Sequence, residues 1–263
     1  MGDGHVRILV VVPQVATREE ILLRSAQVTD GWLDPSTELV WRPVRFAAPQ
    51  SDSFYSDLVT ELAVLEAGLG AEQEGFDAVT VDTVSDKALF ALRSRLSIPV
   101  VAPGIAGFHL ASVLGDRISV IVTWEKWIHF YRRNLALYGL QHKLASIRCT
   151  GDAPSSAPFS PEHRARTINK IVDAAREAAR DDGADVVMLG STTMHWSAGP
   201  LREAVRIPVV NPGPWALKLA ESLAKAGLAH SKTSYMSPET TVDALIHAAA
   251  EDAASATSRR QER

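Results

Sequence analysis

Apolar runs and amphipathic stretches alternate along the chain, in two successive rounds. Val6–Val12 reads as a parallel strand covered on both faces, which removes the in-and-out alternation of a half-exposed strand. Thr17 is placed to cap a following helix, with Glu19 and Glu20 in the first turn, where the macrodipole favours negative charge. Residues 39–44 alternate like a second strand, and Arg42 and Pro43 mark it as an edge, because proline cannot donate to a ladder. Leu58, Leu62, Leu65 and Leu69 recur at helical spacing within 56–71. Ala78–Val81 is a third strand, 86–96 a helix, and 99–101 a short fourth strand.

Then the order restarts. RISVIV at 117–122 echoes RILVVV at 7–12. Residues 125–138 form a helix with Ile128, Tyr131, Leu135 and Tyr138 on one face, and 144–148 a strand. A Pro/Ser-rich loop spans 151–161, followed by a helix over 162–181 whose expected buried stripe is Ile168, Val172, Ala175 and Ala179. Residues 185–189 and Val209–Val210 complete a second set of four strands. Pro214 after Gly213 suits a helix start, and Ser237 with Pro238 is expected to open the last helix as N-cap and first residue. The polar tail SATSRRQER is expected to fray.

Within these rounds one stretch is written twice. DAVTVDTVSDKALFALRSRLSIPVVAPG at 77–104 lies over DVVMLGSTTMHWSAGPLREAVRIPVVNPG at 185–213, with Asp77 on Asp185, Thr83 on Ser191 and Pro99 on Pro208. The expected fold class is therefore α/β: two pseudo-two-fold-related, four-stranded parallel-sheet domains. The first would comprise 1–104 plus 214–263 and the second 105–213, with a cleft between them. Ligands of such sheets bind outside the carboxyl ends of the strands.

Composition narrows the function classes. The chain of 263 residues is 46% hydrophobic and 22% charged with a formal net charge of −4, an ordinary globular balance that offers no electrostatic footing for nucleic acid or an anionic membrane. The single cysteine, Cys149, forbids an intrachain disulfide, lacks the company of cysteine-based zinc patterns and fits a cytoplasmic location. The opening MGDGHVRILVVVPQ reads as a strand and not as a signal peptide, and no apolar run approaches the roughly 18–20 residues of a membrane-spanning helix. No G-x-G-x-x-G, Walker loop, H-E-x-x-H or G-x-S-x-G string is present.

The candidate chemistry sits in the doubled turns. Asp82-Thr83-Val84-Ser85-Asp86 follows the third strand, and Gly190-Ser191-Thr192-Thr193 follows its counterpart. Each joins a strand to a helix, so backbone N–H groups are expected to face an anion, although Ser, Thr and Asp at such places also serve as plain helix caps. Asp86 is the readiest simple cap.

The layout G-F-D-A-V, x-I-P-V-V, H-L-A-S-V-L-G-D-R-I-S-V-I-V-T and D-V-V-M-L-G-S-T-T-M resembles the aspartate/glutamate racemase superfamily, and within it the hydantoin racemase branch, from Arg7 to about Gly227. The resemblance implies cofactor-independent chemistry, with no metal, at a carbon bearing an acidic hydrogen. In such racemases two cysteines exchange a proton through an enolate-like intermediate. Here those positions carry Thr83 and Ser191, and Cys149 matches neither. A thiol with an ordinary pKa of about 8.5 can be tuned to ionise, whereas an aliphatic hydroxyl needs a neighbouring base. The two-thiol mechanism therefore does not transfer.

Thr83 and Ser191, with the amides of Val84 and Thr192, are expected to hold an enolate or carboxylate oxygen, with Ser85 and Thr193 also at the substrate. His195, Asp82 or Asp86 would move the proton, His195 because it titrates near neutrality within the second turn. His109 is expected to begin the helix after Pro103-Gly104. Gln14 and Thr17 lie in the loop after the first strand, where the superfamily binds substrate, and Trp124 with Trp127 would supply an aromatic wall. The expected ligand is a small carboxylate or a cyclic imide, turned over by racemisation, isomerisation or a related lyase step. Ring opening through Ser191 and a non-catalytic metabolite sensor stay open, as does homo-oligomerisation.

Overall fold

The computed structural model describes residues 5–154 and 159–261, so residues 155–158 of the Pro/Ser-rich loop lie outside the described residues. Two four-stranded parallel sheets carry the fold. The first contains β1 (Val6–Val12), β2 (Thr37–Pro43), β3 (Ala78–Val81) and β4 (Val100–Val101) in the order β2-β1-β3-β4. The second contains β5 (Ile118–Val122), β6 (Leu144–Cys149), β7 (Val186–Leu189) and β8 (Val209–Val210) in the matching order β6-β5-β7-β8. The helices are α1 (Arg18–Ser25), α2 (Phe54–Leu69), α3 (Leu89–Arg95), α4 (Pro103–Leu114), α5 (Ile128–Leu137), α6 (Pro161–Asp181), α7 (Ala198–Ala204), α8 (Pro212–Lys225) and α9 (Asp243–Gln261).

The chain divides into two compact units. One holds Met1–Asp82, Lys87–Ala102 and Leu217–Arg263; the other holds Thr83–Asp86 and Pro103–Ala216. The short Thr83–Asp86 turn thus groups with the same unit as the turn that contains Ser191.

The doubled sequence is a doubled structure at the amino ends of the strands. Asp77 accepts from the Arg7 amide at 2.8 Å, and Asp185 accepts from the Arg117 amide at 2.9 Å. The two arginines then reach back alike: Arg7 donates to the carbonyls of Glu74 and Gly75, and Arg117 to those of Asp182 and Gly183. The Asp that opens each copy and the Arg that opens each echo are therefore one repeated brace.

Burial explains the apolar runs. β5 is buried at every position and divides its side chains between two cores. Ile118, Val120 and Val122 pack with Phe108, Tyr131 and Leu135, whereas Ile121 packs on the opposite face with Ile171, Ala175 and Leu201. β2 is the half-exposed edge strand that Arg42 and Pro43 foretold.

Several helices depart from the sequence expectation. Of the four leucines of α2, Leu69 is buried, Leu62 and Leu65 are half-buried and Leu58 is 67% exposed, and the buried face also takes in Thr60, Ala63, Val64 and Ala67. Small residues let α2 approach its neighbours closely: a Cβ on Gly68 would meet Leu92 at 2.8 Å. The buried stripe of α6 is Thr167, Ile171, Ala174, Ala175 and Ala178, so of the four expected residues Ala175 alone is fully buried. In an alanine-rich helix two overlapping ladders fit the same spacing, and packing against β5 and α7 selects one. The last helix begins at Asp243, not at Ser237, since the Val242 carbonyl accepts its first bonds, and it continues to Gln261 where fraying was expected.

Candidate functional site

Both doubled turns adopt the same local geometry. Thr83 Oγ1 lies 2.9 Å from Ser85 Oγ and accepts from the Ser85 amide at 3.4 Å. Ser191 Oγ lies 2.8 Å from Thr193 Oγ1 and accepts from the Thr193 amide at 3.2 Å. A hydroxyl that bonds the amide two residues ahead folds the backbone into a tight hydroxyl-closed turn. In this way Thr83 and Ser85 correspond bond for bond to Ser191 and Thr193.

Beyond the turns the two copies diverge. Ser191 is the N-cap of a 3-10 helix, Thr192–Ser197, in which Thr192 is buried and His195 half-buried. After the first turn the chain passes through two left-handed residues, Asp86 at φ 53° and Ala88 at φ 55°, before α3 begins at Leu89. The expected helix start at Asp86 is therefore absent, and the α3 N-cap, Ala88, makes no side-chain cap bond.

Asp86 caps a different helix. Its carboxylate accepts from the amides of Gly104 at 2.7 Å and Ile105 at 2.6 Å, two of the unpaired donors of the first turn of α4. The Tyr138 hydroxyl donates to the same carboxylate. Gly104 is obligatory here, since a Cβ would collide with the Val84 carbonyl and the Asp86 side chain. His109 is exposed in the middle of α4, with its ring 6.1 Å from that of Tyr138, because α4 begins at Pro103.

α5 touches both turns. The Tyr131 hydroxyl donates to the Gly190 carbonyl at 2.6 Å, and the Asn134 side-chain Nδ2 donates to the Val84 carbonyl at 3.3 Å. Burial, with the nearby Cys149 adding to it, pushes the Tyr131 phenol far above its ordinary range, so it stays a protonated donor. Gly190 also has no room for a side chain, as a Cβ would meet Val122 at 2.6 Å and the Ile121 carbonyl at 2.9 Å.

Asp82 is buried in the first unit, where Arg24 donates to one carboxylate oxygen at 2.7 Å and Gln27 to the other at 3.1 Å. Arg24 also holds the Gln14 side-chain oxygen at 2.8 Å. Thr17 is exposed and acts as half of a capping box with Glu20. Trp124 is half-buried, edge-on to Trp127 at 5.9 Å, with the Lys126 ammonium 5.1 Å over its ring. His195 lies 5.6 Å from the Phe159 ring. Cys149 is half-buried at the end of β6, and its thiol faces the Thr123 carbonyl at 3.5 Å.

Sequence reasoning missed Arg24, Gln27, Asn134 and Asn211. Asn211 follows β8 directly and is 7% exposed, and its side-chain oxygen has no hydrogen-bond partner among the described residues. The repeat held a signal for it: the variable position of I-P-V-V-x-P-G is Ala102 in the first copy and Asn211 in the second.

Among the described residues no group of three or more His, Cys, Asp or Glu is arranged to hold a metal ion, and no helix is long and apolar enough to cross a membrane.

The family model described as Asp/Glu/Hydantoin racemase matches residues 8–220, a span that takes in both sheets and both turns. The chain belongs to this family. Among its racemase relatives, a hydantoin racemase of Pseudomonas sp. (strain NS671) is 26% identical over 204 residues, covering 77% of this chain and 81% of that one. A hydantoin racemase of Paenarthrobacter aurescens is 28% identical over 197 residues, covering 74% and 82%. The solved structure of an allantoin racemase from Klebsiella pneumoniae superposes with a TM-score of 0.81 at 26% identity, over 90% of this chain and 95% of that one.

Proposed function

We propose that this chain is a thiol-independent member of the racemase family that exchanges the acidic C5 proton of a hydantoin-type cyclic imide. The observation that carries the reading is the matched pair of hydroxyl-closed turns, Thr83/Ser85 and Ser191/Thr193, standing where the family resemblance places its cysteines. The hydantoin and allantoin racemases among its relatives support the substrate class, because allantoin itself carries a hydantoin ring.

In this reading His195 removes the C5 proton and the electron pair moves onto the adjacent carbonyl oxygen. The hydroxyls of Thr83 and Ser191, with the amides of Val84 and Thr192, hold that enolate oxygen. The planar intermediate has lost its handedness. A proton returned by His195 regenerates the first enantiomer; a proton given by water on the other face forms the second, and the hydroxide left behind is neutralised by the proton that His195 releases. Asp86 is committed to the α4 amides, and Asp82 to Arg24 and Gln27, so each serves to hold structure, which leaves His195 for the proton. The buried Asn211 oxygen is an acceptor suited to a ring N–H, which a hydantoin has and a simple carboxylate lacks. Ring opening through Ser191 is the weaker reading, since the bonds described for its hydroxyl run to Thr193 and not to a base.

The test is deuterium incorporation at C5 of enantiopure 5-substituted hydantoins in D2O, followed by proton NMR. Wild-type protein is expected to catalyse exchange. Ser191→Ala is expected to slow it about 10²-fold or more, the scale of losing one oxyanion donor, and His195→Asn about 10²–10⁴-fold. Tight hydantoin binding without exchange above the spontaneous rate would defeat the proposal.

A further inference from the structure

The two turns are far apart in sequence, yet a single helix bonds both. Tyr131, Asn134 and Tyr138 recur at i, i+3 and i+7, one stripe along α5 and the residue that follows it. Tyr131 reaches the carbonyl of Gly190, the residue before Ser191, and Asn134 reaches that of Val84, the residue after Thr83. Tyr138 bonds Asp86, which in turn anchors the start of α4.

These bonds lie where a small displacement would reach the reacting atoms. Tyr131 and Asn134 are 3% and 2% exposed, so neither has solvent as a ready alternative partner. Both pull on backbone, and the oxygen they hold belongs to a residue next to the hydroxyl at issue. Leu135, the residue after Asn134, is fully buried in the core with Val120 and Val122 of β5 and its apolar side chain bonds neither turn.

We infer that Tyr131 and Asn134 are positioning residues, which fix the spacing between the Thr83 and Ser191 turns from a single helix. The inference rests on the proposed reaction for its kinetic consequence, and on the bonds alone for its structural one. Proper spacing matters most in the transition state, when both hydroxyls must meet one developing oxyanion. Loss of either bond is therefore expected in kcat more than in KM.

The experiment compares Tyr131→Phe and Asn134→Leu, each of which removes a donor at similar volume, with Leu135→Val as a packing control on the same helix. Two readouts are taken: kcat and KM for hydantoin C5 exchange, and amide hydrogen exchange followed by mass spectrometry on the full chain. Tyr131→Phe is expected to speed deuteration of 190–193 and Asn134→Leu that of 83–86, while β5 and β7 keep wild-type protection. Each is expected to lower kcat at least tenfold with KM within twofold, and Leu135→Val to keep kcat within threefold at a comparable loss of melting temperature. Wild-type kcat and wild-type turn protection in both variants would overturn the inference, as would a kcat loss in Leu135→Val equal to theirs. Were the wild-type protein to exchange no hydantoin, the proposed function would fail, and amide exchange at the two turns would still decide the role of the two bonds.

Discussion

Replacing Asp86 by asparagine keeps the shape of the side chain and removes its charge. The bonds from the Gly104 and Ile105 amides to a carboxylate would become bonds to a neutral oxygen, of which only one can be kept. Charge-assisted bonds are about twice as strong as neutral ones, so Asp86→Asn is expected to cost about 1–2 kcal/mol, measured by urea denaturation. At this scale the sequence placed Thr83 and Ser191 in matched turns without help, because each turn closes on its own next-but-one residue. It misread Asp86 as a cap of the helix after it because the donors that claim its carboxylate, the amides of Gly104 and Ile105, come 18 and 19 residues later. Tyr131 was legible as a core residue, but the hydroxyl that makes it more than core answers to a carbonyl 59 residues away. Asn134 shares that helical face, but as a polar residue it adds nothing to the apolar periodicity that marks the stripe.

Among the elements, the segment after α8 closes over α3 and β4. Lys232 donates to the carbonyls of Arg93, Ser94 and Leu96 at the end of α3, the end where a cation is favoured. His230 accepts the Val100 amide of the edge strand β4 at 2.8 Å, which requires a neutral ring nitrogen. Burial and then the Arg93 charge depress the His230 pKa from 6.5 to about 4, so the unfolded chain takes up the proton first. The contribution of this bond is fully present above about pH 6.5 and is lost as pH falls through about 4. His230→Ala is accordingly expected to lower the urea midpoint at pH 7 and to approach wild type near pH 4. A deficit that is the same at both pH values would show that the ring acts through packing alone. The elements themselves were readable where periodicity was unambiguous, as in β1, β3 and α5. They were misread in part where local chemistry offered two solutions: the leucines of α2 made the more conspicuous stripe, but close approach buried its small residues and, of the four leucines, fully buried Leu69 alone. Ser237-Pro238 is a sound helix opening in isolation, yet the helix opens at Asp243, whose carboxylate pairs with Arg95 at 2.7 Å.

For the whole molecule, the repeat is most faithful in its braces and its turns and least faithful just beyond them. Asp77 with Arg7 and Asp185 with Arg117 build the same joint, and both turns close on the same pair of hydroxyl bonds. Symmetry then ends, with left-handed residues following one turn and a 3-10 helix carrying His195 following the other. Membership of the racemase family explains the scaffold, and the hydroxyls in place of thiols explain why one side is expected to do the proton transfer. The most direct test uses Cys149→Ser, a protein without any thiol, on an enantiopure 5-substituted hydantoin in D2O, with chiral chromatography and proton NMR run together. Racemisation with deuterium at C5 at the wild-type rate is the expected result. Racemisation by the wild-type protein that is lost in Cys149→Ser would mean that the thiol, and not His195 with the two hydroxyl turns, moves the proton.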